Sequence, residues 1–86
     1  MHEMSLAHEV CRIARDRVGE EGCGRILEVG LEVGDDSGIE ADNLLFWLEI
    51  LLTEPPFRTA RPSLRRVPGD ELRVTHLEVE DGDPED

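Results

Sequence analysis

The sequence predicts an α+β domain, with two helices packed on one face of a small three-stranded mixed sheet, in the order α-β-α-β-β. Three observations carry this. Two segments repeat apolar residues at helical spacing. Residues 25 to 34 alternate apolar with acidic or glycine positions. The last third holds two short apolar runs around Pro68-Gly69-Asp70. At 86 residues the chain has room for one small domain. We place it at 1–80, followed by a disordered acidic tail over 81–86.

The first helix is read from Ser5, a residue that accepts a hydrogen bond from a free N–H one turn on. Leu6, Val10, Ile13, Ala14 and Val18 form its apolar stripe, Gly19 weakens its end, and Gly22 and Gly24 stop it. The alternation of Leu27, Val29, Leu31 and Val33 with Glu28, Gly30, Glu32 and Gly34 predicts a half-buried strand. Asp35-Asp36-Ser37-Gly38 supplies turn chemistry. A second helix runs from about Glu40 to Thr53, with Leu44, Leu45, Leu48, Leu51 and Leu52 in period, and Pro55-Pro56 ends it. Leu64 to Val67 and Leu72 to Val79 are strands, and the turn between them predicts a tight antiparallel hairpin. Leu72 and Val74 have one parity and Leu77 and Val79 the other, so a bulge is expected near Thr75-His76. Pro62 cannot donate to a ladder and should place its strand at an edge. The strand–helix–strand portion should cross over in the right-handed sense.

Nine arginines and no lysine face 21 acids, for a net charge of −12. Such a field repels phosphate backbones, which argues against nucleic acid as a partner. The longest apolar run, Leu44 to Leu48, is far short of the roughly 20 residues of a membrane span. The start Met1-His2-Glu3-Met4 is not followed by the apolar stretch of a signal peptide, so a cytoplasmic location is expected. Cys11 and Cys23 form no Cys-x-x-Cys pair and are expected as free thiols. No nucleophile–base pair, phosphate loop or paired catalytic carboxylates is recognisable, and no enzymatic activity is expected.

The first three residues carry the clearest chemistry. A large side chain at position two blocks removal of the initiator methionine, so the Met1 amine sits beside His2. The Met1 amine, the His2 amide and imidazole and the Glu3 amide then lie along one short segment. Four nitrogen donors in a plane suit Ni(II) or Cu(II) over Mg or Ca. Read alone, the same start also fits a solvated, frayed terminus.

Met1-His2-Glu3-Met4-Ser5-Leu6-Ala7 resembles the start of the HypA family of hydrogenase and urease nickel-incorporation proteins. Leu31-Glu32-Val33-Gly34 with Ser37-Gly38-Ile39-Glu40 resembles the family's strand and following loop. Leu44-Leu45-Phe46-Trp47-Leu48-Glu49 resembles its second helix. Gly69-Asp70-Glu71-Leu72-Arg73-Val74 and Leu77-Glu78-Val79-Glu80 resemble its closing strand. The resemblance implies a nickel metallochaperone that delivers Ni(II) to the large subunit of a [NiFe]-hydrogenase, or to urease, with a nickel-handling GTPase. It implies metal ligands at His2, Met1 and Glu3. Glu40 falls where some members have an acid suspected near nickel, though a carboxylate at a helix start also explains it. The family's zinc module, with two Cys-x-x-Cys pairs, is missing: Val67-Pro68 runs directly into Gly69-Asp70. No bound zinc is expected, and with the hinge for strand exchange shortened, a monomer is. The alternative is an interaction module that docks on a hydrogenase subunit or the GTPase without metal.

His8 should face solvent, and His76 should sit at the bulge, on or near the surface. Arg58, Arg61, Arg65 and Arg66 are expected to pair with the chain's own acids, with a docking face for an acidic partner as the alternative.

Overall fold

The computed structural model describes residues 2–80. Its elements follow the expected order: α1 (Glu3–Val18), a 3₁₀ run (Glu20–Arg25), β1 (Ile26–Gly34), α2 (Ala41–Leu51), β2 (Arg61–Val67) and β3 (Leu72–Val79). Both helices pack on one face of the sheet, and the core between holds Val10, Ile26, Val29, Leu31, Leu44, Leu48 and Leu52. Cys11 and Cys23 are free thiols. Burial pushes the Cys11 thiol up to about 11. The expected tail over 81–86 and the position of Met1 lie outside the described residues.

Three local expectations change. α1 begins at Glu3, two residues before Ser5, with His2 at the N-cap position. Ala7 joins the buried stripe at 0% exposure, and packing of the helix carries it past the favoured capping residue. Leu27 is 41% exposed rather than buried. The register slips between Ile26 and Glu28, so Leu27 is an extra residue that lets Ile26 share a face with Val29.

The third change is topological. The sheet order is β2-β1-β3, with β1 parallel to β2 and antiparallel to β3. The expected hairpin is absent: β2 and β3 run in opposite directions on opposite edges, with β1 between them. β1 is the most apolar strand, and a central place lets both its edges hydrogen bond while its inner face is covered. The link 68–71 has to span two strand spacings, about 10 Å. Four extended residues reach about 13 Å. It crosses the end of β1, where Glu71 O accepts from Gly34 N–H at 2.8 Å and Val67 O from Asp35 N–H at 2.8 Å.

That crossing makes Gly34 a demanding position. A Cβ there would fall on the Gly69 carbonyl and 2.8 Å from Asp70 N, all main-chain atoms that cannot swing aside. Gly34→Ala should therefore destabilise the fold by about 1–3 kcal/mol. Urea unfolding against the parent checks this. Gly30→Ala is the comparison, since a Cβ there meets the His76 ring, a side chain that can rotate outward, and should cost less.

Two other strand expectations, the edge position of Pro62 and the bulge in the last strand, are met. Pro62 lies in edge strand β2. In β3 the register slips at Thr75, between the pairs Gly30–His76 and Leu31–Val74, which turns Leu72, Val74 and Leu77 all toward the core. The outer sheet face carries Arg65 and Arg73 beside Glu32, while Arg66 is in register with Val33 on the edge strand. Glu32 accepts from Arg65 at 2.7 Å and Arg73 at 3.1 Å, and Asp35 accepts from Arg66 at 3.1 Å. The two guanidiniums hold the Glu32 carboxyl below the usual range. Arg58 and Arg61 enter no ion pair among the described residues.

Candidate nickel site

His2 is extended (φ −97°, ψ 126°), and its carbonyl accepts the first helical bond, from Leu6 N–H at 3.2 Å. The imidazole is exposed. The first N–H groups of any helix have no acceptor within it. The His2 and Glu3 amide nitrogens therefore give up no helical hydrogen bond if a metal takes their protons. They also lie at the positive end of the α1 dipole, which favours the negative charge of a deprotonated amide.

The Glu3 carboxylate is engaged elsewhere. Its Oε2 accepts from the Glu40 backbone N–H at 2.9 Å, and its Oε1 from Asn43 Nδ2 at 3.3 Å. Glu40 is the N-cap residue of α2 and makes no side-chain capping bond. In a capping box, a Glu three residues into the helix reaches back to the N-cap N–H. Asn43 occupies that position here, and Glu3 of α1 takes over the role across 37 residues of chain. The Glu40 N–H, then the residue's own N–H and Asn43, hold the Glu3 carboxyl below the usual range.

This bond also sets how the helices lie. Glu3 meets the start of α2, while further along His8 and Cys11 share a groove with Leu51 and Glu54. The two helices therefore run in the same direction, with their N-termini at one end of the molecule. His2 sits at that end, one residue before the Glu3 whose carboxylate accepts from Glu40 N–H.

Other sequence candidates are not gathered there. His8 is exposed and lies six residues further on, about 9 Å along the helix. His76 is on the outer sheet face, 2.9 Å from Glu28 Oε2 and 3.0 Å from Thr75 Oγ1. Among the described residues, no three or more His, Cys, Asp or Glu side chains converge to hold a metal. The nitrogen groups at the α1 start are the His2 imidazole and the main-chain amides of His2 and Glu3. Sequence reasoning missed Asn43 and the bond to Glu40. The available signal was that the N-cap of α2 is a glutamate, a poor capping residue, so an acceptor had to come from another element.

Residues 1–71 match the family model for HypA, described as hydrogenase/urease nickel incorporation, metallochaperone. The chain belongs to the HypA family. HypA hydrogenase maturation factors similar to it come from Azoarcus sp. (strain BH72) and Chloroflexus aurantiacus. The first is 36% identical over 69 residues, 80% of this chain and 60% of that protein. The second is 38% identical over 68 residues, 79% and 60% respectively. The chain thus spans about 60% of the length of these HypA relatives. The solution structure of the Ni metallochaperone HypA from Helicobacter pylori superposes with a TM-score of 0.78, over 95% of this chain and all of that one. At 13% identity this likeness concerns the fold. The HypA match ends at Glu71, in the link that leads to β3.

Proposed function

We propose that this HypA-family chain is a nickel metallochaperone that takes Ni(II) as cargo at its N-terminus and releases it during [NiFe]-hydrogenase or urease maturation. The ligands are the Met1 amine, the His2 amide and imidazole, and the Glu3 amide. The recipient is the hydrogenase large subunit, or urease, reached together with a nickel-handling GTPase. The observation that carries the reading is the state of the α1 start. Two amide nitrogens free of helical bonds flank an exposed imidazole, at a helix end that favours amidate charge. Such a set is selective for Ni(II) or Cu(II) without enclosing the ion, which suits release. Zinc has no part in it, since the chain holds no Cys-x-x-Cys pair. The step is ligand exchange, with no catalysis, by a monomer in the cytoplasm. Among the described residues, no helix is long and apolar enough to cross a membrane.

The test is calorimetric titration with Ni(II) of the parent, His2→Ala, a form with residues fused ahead of Met1, and His76→Ala. His2→Ala loses the imidazole and the fusion loses the amine. Each should weaken binding ten-fold or more, roughly 1.4 kcal/mol. His76→Ala should match the parent. If His2→Ala and the fusion bind as tightly as the parent, nickel is held elsewhere or not by this chain.

A further inference from the structure

The bonds of Glu3 bear on which metal its segment selects. Oε2 accepts from Glu40 N–H at 2.9 Å and Oε1 from Asn43 Nδ2 at 3.3 Å, so each carboxylate oxygen has a donor at the start of α2. Asn43 stands three residues after the N-cap Glu40, and the two donors converge on one acceptor. The Asn43 side chain makes no other hydrogen bond among the described residues. Glu3 itself follows His2 directly and opens α1. Its amide therefore belongs to the metal segment while its carboxylate is tied to another helix. Nitrogen donors in a plane suit Ni(II) or Cu(II). A free carboxylate next in sequence to an imidazole would add oxygen to the set, and mixed histidine–carboxylate ligation suits Zn(II). Where the Glu3 carboxylate goes thus decides which set the ion meets.

We propose that Asn43, together with the Glu40 backbone N–H, is a positioning residue for the metal segment: it keeps the Glu3 carboxylate off the ion and so gives the site its preference for nickel over zinc. The proposal rests on the nickel reading and names the residue that sets its selectivity. Asn43 touches no metal and acts through Glu3. Glu40 enters through its main chain, not its carboxylate.

The arrangement of α2 favours the same outcome when metal is bound. Glu40 makes no side-chain capping bond, so Glu3 is the acceptor that caps this helix start. If the carboxylate swung to the ion, Glu40 N–H and the Asn43 amide would both lose it. Hydrogen bonds to a charged acceptor are stronger than neutral ones, and their loss opposes the swing. Ligation through the Glu3 amide leaves both bonds in place.

The full chain is titrated with Ni(II) and, separately, with Zn(II), and the ratio of the two affinities is read. The variants are Asn43→Ala, Asn43→Ala with Glu3→Gln, Glu40→Pro, and Asp42→Ala as a control. Glu40 has φ −81°, close to that of proline, so Glu40→Pro removes the N–H with little change in φ. Visible absorption and magnetic susceptibility report the nickel geometry, and thermal unfolding reports the fold. The parent should favour nickel and hold it in a yellow, diamagnetic form. Asn43→Ala should lower the nickel-to-zinc ratio about tenfold, the scale of one charge-assisted hydrogen bond, and give a paler, paramagnetic nickel form. Glu40→Pro should do the same, and if it does not fold, Asn43→Ala carries the test. Adding Glu3→Gln to Asn43→Ala removes the released carboxylate and should return ratio and spectrum toward the parent. Asp42→Ala, which deletes an exposed acid of the same turn, should leave both unchanged. A merely structural role for Asn43 would weaken both metals alike, with ratio and spectrum as in the parent, and that result overturns the proposal. It is also overturned if the parent binds zinc as tightly as nickel, or if the effects of Asn43→Ala persist after Glu3→Gln. Failure of the nickel reading shows separately, in the His2→Ala titration, which leaves Asn43 in place.

Discussion

Raising the pH from 7 to 8 should tighten nickel binding at least a hundredfold, roughly 2.7 kcal/mol or more. Binding in the nitrogen plane converts the His2 and Glu3 amides to amidates and frees a proton from each. One released proton contributes about a tenfold change in affinity per pH unit, so the two amides contribute about a hundredfold, and an ordinary α-amine, still mostly protonated at pH 7, adds to it. The Glu3 carboxylate adds nothing to this slope. Its hydrogen bonds to the Glu40 N–H and Asn43 hold its carboxyl below the usual range, so it stays ionised throughout this interval. The amide route is open because α1 starts at Glu3 and leaves both nitrogens outside the helical ladder. Calorimetry at several pH values, in buffers of different ionisation heat, counts the protons directly. The planar species should be yellow and diamagnetic. A six-coordinate site completed by carboxylate and water would be pale and paramagnetic, with a slope of tenfold per unit or less, and that result would rule out the amidate ligands.

The second large effect lies in the core. Leu48→Ala should lower the unfolding free energy by about 2–5 kcal/mol, because Leu48 is fully buried and its loss leaves a cavity between α2 and the sheet. A domain of this size has about 4–13 kcal/mol in all, so the loss is a large fraction. Phe46→Ala, two residues earlier but half exposed, should cost less than about 1 kcal/mol. Urea unfolding of both variants measures the contrast. Equal losses would mean that Phe46 is held in the fold as firmly as Leu48. The pair thus separates what α2 contributes to stability from what it offers at the surface.

Both effects trace to local patterns. The helical period of Leu44, Leu48 and Leu52 and the alternation of β1 are properties of neighbouring residues. Each periodicity specifies which face must leave water, whatever lies opposite. The Thr75 bulge was readable for the same reason, since a parity change in one strand must be absorbed within it. The chemistry of Met1-His2-Glu3 is likewise contained in three consecutive residues, and its HypA resemblance is borne out for the family by the match over residues 1–71.

Contacts between distant segments followed other rules. Pro68-Gly69-Asp70 suits a hairpin and equally a link across the end of β1. The choice fell to β1, whose apolar inner face and two bondable edges are best served at the centre of the sheet. Leu27 reads as a core residue by alternation, yet the bulge against Glu78 and Val79 gives its place to Ile26. No local signal assigns the Glu3 carboxylate to the start of α2, because its partners lie 37 and 40 residues away. Periodicity along a chain determines which side of an element is buried. Which element lies against it depends on how several such faces share one core, and here that sharing set the parallel helices and the bond from Glu40 to the Glu3 carboxylate.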